Sequence, residues 1–208
     1  MDRRSFLKAG TAGLGVGLTL TSAQAVAGEN GKKWGQRPKL PDAVDHEAFA
    51  ARVIEEFTTN KRSCSESMVI VGCEVMKVDS VLLPEMMYGL AGGIGRCGYA
   101  CGLVTGGAVV LSMAISAVET ERATAWPMAM ASVESYVTAF EQMPSVLAAA
   151  DQPTANCYTI SKVNLRDPEE RKNMNGPTGV KMMVCKPIAK EAAMLLAGCL
   201  QVIIDTYR

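Results

Sequence analysis

The chain has 208 residues, 49% of them hydrophobic, with 21 basic residues, 21 acidic residues and one histidine. That supports one domain with a real core, and the even charge balance, without a basic patch or basic helix, argues against nucleic acid or an anionic membrane surface as partner. No Ser/His/Asp triad, phosphate loop or set of paired catalytic acids is present, so hydrolase and nucleotide-binding chemistry lack the residues they need.

Asp2-Arg3-Arg4-Ser5-Phe6-Leu7-Lys8 opens the chain, a Gly/Ala-rich apolar run extends to about Ala23, and small-x-small cleavage options follow at Ala23-Gln24-Ala25 or Ala25-Val26-Ala27. Residues 1–27 therefore read as a signal peptide. Its paired arginines match the twin-arginine signal, which implies handling by the twin-arginine export machinery and a periplasmic or extracytoplasmic destination. That route carries folded proteins and is commonly used by chains that acquire a metal or cluster before export. Losing Arg3, Arg4, Lys8 and Asp2 takes the 21 basic and 21 acidic residues to 18 and 20, a formal charge of −2. Residues 28–44, polar and rich in Gly and Pro, read as a flexible leader. Residues 45–208 read as a single helical domain.

Asp45 caps a predicted first helix with Phe49, Val53 and Phe57 on one face. A second begins near Ser65, with Glu66 in its first turn and Met68, Val69, Gly72, Cys73 and Met76 as its stripe. Pro84 suits the first turn of a short third helix that ends in the glycines after Tyr88. From Cys97 to Val118 no residue is charged. The run is long enough to span a bilayer, but small and polar residues dilute it, and it reads as the central helix of a soluble bundle with no membrane span. Trp126-Pro127 opens a further helix with Met130, Val133, Val137 and Phe140 facing inward. Pro187 starts the last, with Ile188, Ala192, Leu195, Leu196, Cys199, Val202 and Ile203 at a 3.6-residue period. The 13 methionines read as core filler. No convincing strand pattern appears. The expected fold is all-α, a compact bundle of about five to six helices with a glycine-rich cysteine loop.

That loop, GLAGGIGRCGYACGLVTGG over residues 89–107, holds eight of the 19 glycines and two of the seven cysteines. An odd cysteine count in an exported chain leaves at least one thiol outside intramolecular disulfides. Cys73 and Cys199 fall in apolar stripes and read as small core hydrophobes. Cys64, Cys101, Cys157 and Cys185 are each predicted at a helix N-terminus, where unpaired N–H groups and the helix dipole favour a thiolate. Cys97, four residues before Cys101, is a rival ligand. With one histidine, a multi-ligand site must be rich in sulfur or oxygen, and four thiolates suit an iron–sulfur cluster or a tetrahedral zinc. Gly92, Gly93, Gly95, Gly102 and Gly106 would shape the site by letting backbone N–H groups approach the sulfurs.

Cys64, Gly92-Gly93-Ile94-Gly95, Cys101-Gly102-Leu103-Val104-Thr105-Gly106, Cys157 and Cys185 resemble the family of redox-active proteins named for a C…CGAxxG…C…C pattern (C_GCAxxG_C_C). The resemblance covers about residues 50–205. Leu103 replaces the family's usual Ala and makes the turn after Cys101 bulkier. The same region resembles the cysteine-bearing part of split-Soret cytochrome c. That likeness implies an iron–sulfur cluster of unknown type on Cys64, Cys101, Cys157 and Cys185, and a homodimer. A c-type haem needs Cys-x-x-Cys-His, and His46, read as an exposed residue of a first helical turn, has no cysteine beside it in sequence, so no haem c is expected. The leading expectation is an exported electron-transfer protein, a subunit or carrier acting with a redox partner. The alternatives are a metal-free thiol–disulfide oxidoreductase, with Cys64 and Cys101 as its couple, and a binding module stabilised by disulfides or zinc.

Overall fold

A computed structural model describes residues 37–79 and 82–207. The predicted signal and most of the predicted leader lie outside the described residues. Helices carry the fold and no strand is present among the described residues, so the protein is all-α.

The main helices are α1 (His46–Thr58), α2 (Cys64–Val75), α4 (Gly102–Val118), α5 (Arg122–Glu141) and α9 (Lys186–Tyr207). Short helices α3 (Leu82–Met86), α6 (Pro144–Ala150), α7 (Cys157–Ser161) and α8 (Pro168–Lys172) join them. Local chemistry sets the starts. The Asp45 carboxylate accepts from Ala48 N at 3.0 Å, and Ser63 and Glu66 form a reciprocal capping box at the head of α2. Helix α4 is central and packs against α2, α5 and α9, while α9 also covers α1. Met68, Met76, Leu111, Ile115, Tyr136, Phe140, Leu196 and Leu200 are essentially inaccessible, each contributing roughly 1.5–3 kcal/mol by burial.

Helices α2 and α4 approach closely because α4 presents glycines to its neighbour. A Cβ on Gly106 would lie 2.8 Å from Ser65 O and 2.9 Å from Met68 Cβ. The small residues that dilute this apolar run serve close packing inside the domain. Among the described residues one helix, Lys181–Tyr207, is long and apolar enough to cross a membrane, and half of its most apolar window is buried inside the domain.

Several details differ from the sequence expectation. Helix α5 starts at Arg122 rather than at Trp126, with Pro127 inside it. The bond that Pro127 forgoes would have ended on Ala123, in the exposed first turn, where the loss is cheap. Met130 is exposed, not inward, and so is Val202. His46 is half-buried, its ring lying toward Gly198. Methionines divide: Met68 and Met76 fill the core, while Met86 and Met183 are exposed. The described end of the predicted leader is tied to the domain. Lys39 N donates to Met76 O at 2.9 Å, Val44 N donates to Gln201 Oε1 at 2.9 Å, and Val44 is buried.

The last helix also begins earlier than Pro187. A π-helical turn, Lys181–Cys185, runs into α9 without a break, and Lys186 N–H reaches back to Lys181 O. Proline at 187 cannot donate to the carbonyl four residues before it and would crowd that carbonyl, so a widened turn precedes it. Cys185 therefore lies inside a continuous helix and not at a helix head.

Candidate functional site

Three chain segments meet at the glycine loop. After the 3₁₀ turn Tyr88–Leu90, residues Gly92, Gly93, Ile94, Gly95 and Arg96 all have positive φ, between 59° and 71°. This is a left-handed run of five residues, and it explains why the loop is rich in glycine. Gly93 needs its glycine twice over, since a Cβ there would also lie 2.5 Å from Tyr99 N and 2.8 Å from Cys157 Cβ.

The loop is stitched to the segment that carries Cys157. Ala100 and Asn156 form an isolated bridge. Cys101 N donates to Ala155 O at 2.7 Å, Cys157 N to Tyr99 O at 2.6 Å and Tyr158 N to Gly98 O at 3.0 Å. Cys101 is the residue before α4, Cys157 the first residue of α7 behind its Asn156 cap, and Cys64 the first residue of α2. Gly102 brings α4 onto α2 at this level, because any Cβ there would collide with Cys64 Sγ. Ser65 Oγ holds the head of α2 by donating to Met87 O at 3.1 Å, and Tyr136 Oη holds the first turn of α4 by donating to Leu103 O at 3.2 Å.

Electrostatics show how closely the four sulfurs are associated. Burial pushes the Cys101 thiol well up, and ionised Cys64, Cys157 and Cys185 each push it further. Burial, then Cys64, raises Cys157 to about 12. Burial, then Cys64 and Cys157, raises Cys185 to about 12 against the opposing pull of Lys181. Burial also raises Cys64, although the N–H groups of Gly92, Ser65 and Cys64 itself favour its thiolate. The expectation of lowered thiol pKa values is thus overturned. Helix heads are present at Cys64, Cys101 and Cys157, but loss of water and mutual repulsion outweigh them. Burial and mutual repulsion thus favour the protonated thiols over the thiolates.

Cys97 stands apart. The principal charges acting on the four thiols do not include it, and its sulfur lies 3.8 Å from Gly95 O, beside the Arg166 guanidinium and near Tyr99. Sequence reasoning missed Lys181. Its Nζ donates to Arg62 O at 3.0 Å and sits 4.3 Å above the Phe57 ring, within electrostatic reach of Cys64, Cys185 and Glu66. The only hint in the sequence is its place one helical turn before Cys185, and it reads there as an ordinary surface lysine.

The donor set suits a thiophilic cationic group, being all sulfur, mostly withdrawn from water and flanked by N–H groups. The thiols are free, with no disulfide among the described residues. Among the described residues no group of three or more His, Cys, Asp or Glu side chains is placed so that it could hold a metal ion. The four sulfurs are near enough to act on one another electrostatically but do not converge on one metal position.

A family model described as putative redox-active protein (C_GCAxxG_C_C) matches residues 62–199, which span α2 to α9 and all seven cysteines. No curated protein and no solved structure matches significantly.

Proposed function

The chain belongs to the C_GCAxxG_C_C family of redox-active proteins, and on that premise we propose that its four associated cysteines hold an iron–sulfur cluster for electron transfer. The observation that carries this reading is that Cys64, Cys101, Cys157 and Cys185, one buried and three partly buried, lie close enough for their ionised forms to repel one another. Such a group needs compensating positive charge before its thiolates can exist, and a metal centre supplies it. When bound, the cluster would supply one-electron redox chemistry.

The chain's own residues set the conditions. The Gly92 and Ser65 N–H groups at Cys64, and the Leu103 N–H at Cys101, offset negative charge on sulfur. Lys181 adds a cation beside Cys64 and Cys185, which favours the more negative, reduced state. Cys101 is buried and the other three sulfurs are partly shielded from water. The arrangement suits a carrier or subunit acting with a partner protein. The twin-arginine-like residues Arg3 and Arg4 support export to the periplasm with the group already in place.

Anaerobic purification of the full chain, followed by iron and acid-labile sulfide analysis and electron paramagnetic resonance, tests the reading. Near-stoichiometric iron with visible charge-transfer absorption is expected. A colourless, iron-free protein overturns it. One observation favours a second reading, a thiol–disulfide couple: among the described residues no group of three or more His, Cys, Asp or Glu is arranged to hold a metal ion. In that case Cys64 and Cys101 would form one S–S bond and release two protons and two electrons to an acceptor disulfide. Titration of the metal-free chain against a glutathione redox buffer would show a reversible two-electron step. No step in the accessible range excludes that alternative.

A further inference from the structure

The described residues leave one face of the amino-terminal half of α5 exposed, while Ala125, Met128 and Val133 pack inward. From Ala123 to Val133 the helix carries no charge, and Trp126 and Met130 are 57% and 45% exposed. Beside them runs a mostly apolar groove between α4 and α5, lined by Ala108, Val109, Met113, Met130 and Val133 together with Ser112 and Ser116. A large apolar surface on a water-facing helix marks an interaction site.

The pattern on that helix indicates the partner. Arg122, Trp126, Met130 and Glu134 stand four residues apart and are all exposed. Positions at this spacing form one ridge on a helix surface, and such ridges interdigitate in the commonest class of helix packing. The ridge is symmetric about Met128, with Trp126 and Met130 equally spaced on either side of it and Arg122 and Glu134 farther out. A second identical helix laid antiparallel about a two-fold axis at Met128 sets each Arg122 opposite the other copy's Glu134. The same operation sets each Trp126 opposite the other copy's Met130, at the mouth of the groove. A parallel arrangement would instead oppose like charges. Glu119 lies off this ridge, its carboxylate engaged by Thr120 N and Glu121 N at 2.7 and 2.8 Å.

We propose that α5 is a self-complementary docking surface for a second copy of this chain, anchored by Trp126 and Met130 and registered by the Arg122–Glu134 pairs. An isologous interface requires one patch to carry both halves of every contact, and this ridge does so. A lipid surface would call for a polar face rich in Lys and Arg, and α5 offers one charge of each sign at the ends of the ridge. Nothing here depends on the cysteine site. Tyr136 meets Gly107 and Leu103 at the Cys101 end of α4, and the antiparallel run of α5 puts Trp126 toward the opposite end.

Sedimentation velocity of the full chain across a concentration series tests the proposal. Wild type is expected to show a reversible monomer–dimer equilibrium, and Trp126→Ala should weaken it by about 30-fold or more. Arg122→Glu or Glu134→Arg alone should each weaken it by roughly tenfold. The double reversal should return it to within about threefold of wild type. All four residues are exposed, so unchanged thermal unfolding checks that the variants fold. A chain that stays monomeric at every concentration overturns the proposal, as does a dimer that ignores both single reversals. Binding of a monomeric chain to phosphatidylcholine–phosphatidylglycerol vesicles, abolished by Trp126→Ala, would assign the ridge to lipid and also overturn it.

Discussion

The seven cysteines occupy two kinds of place. Cys73 is buried in α2, facing the bundle, and Cys199 is half-buried on α9. Burial raises Cys73 to about 11, with Glu74 adding to it, and burial alone raises Cys199. At the loop end, Cys64, Cys101, Cys157 and Cys185 are also raised by burial, but Cys101, Cys157 and Cys185 are then raised again by other thiols of the group. Removal from water is common to both regions. What distinguishes the loop end is the company of other sulfurs, so a thiol's depth says little about its use and its neighbours say a great deal.

The sharpest way to break this comparison is to remove one sulfur from each region. Cys101→Ser should abolish visible absorption and bound iron in anaerobically purified full chain, since Cys101 couples to all three of the others. Cys73→Ala and Cys199→Ala should keep both properties and lose only stability, by about 1–2 kcal/mol. Equal loss of iron in all three variants would erase the distinction.

Alkaline pH separates the regions next, in reduced chain freed of metal. Cys157 and Cys185 titrate near 12 when folded, against an ordinary value of 9.0. A folded pKa above the unfolded one means that the folded state holds its proton longer. The stabilisation is therefore complete below about pH 9 and is lost as pH rises toward 12, by an amount on the order of a few kcal/mol. Thermal unfolding followed from pH 8 to pH 11 should show the melting temperature falling over that interval. Cys157→Ser should flatten the fall, and an unchanged slope would mean that Cys157 is not buried as the fold has it.

These two tests also mark what the amino-acid pattern could reveal. Helix starts at Asp45 and near Ser65 are legible because capping and first-turn chemistry are local, and the apolar periods of α1, α2 and α9 predict most of their buried faces. The pairing of Cys101 with Cys157 rests on backbone bonds from residues 98–101 to 155–158, which no local pattern announces. The helix-head argument for lowered thiol pKa values used only local information and failed because desolvation depends on the whole fold. Pro187 reads as a helix start, which hid both the π turn and Lys181. At α5, Pro127 misled in the same way, placing the start four residues late and turning exposed Met130 inward.

Glycine positions extend the comparison to smaller energies. Gly102→Ala should destabilise by about 1–3 kcal/mol, because its methyl group meets Cys64 Sγ and neither helix can yield without disturbing the other. Gly89→Ala, with nothing within 4 Å of the added carbon, should stay within about 0.5 kcal/mol of wild type. Urea unfolding of both variants measures the contrast. Comparable losses would show that the loop tolerates no change anywhere, leaving Gly102 without a special role in seating α4 on α2.

The smallest effect should be a gain. Ile94 sits in the middle of the left-handed run at φ 60°, a conformation that a β-branched side chain resists, and it is 42% exposed. Its side chain therefore offers little burial in return for a backbone strain of about 1–2 kcal/mol. Ile94→Gly removes that strain but gives the unfolded chain more freedom, so the net gain should be about 0.5–1 kcal/mol. In the right-handed helices the same exchange has the opposite sign: Ile115→Gly, at a buried position of α4, should destabilise by more than 3 kcal/mol through lost packing and lost helix propensity. Urea midpoints for the two variants would move in opposite directions. A loss at Ile94 would mean that its side chain is held by contacts strong enough to outweigh the handedness of the loop.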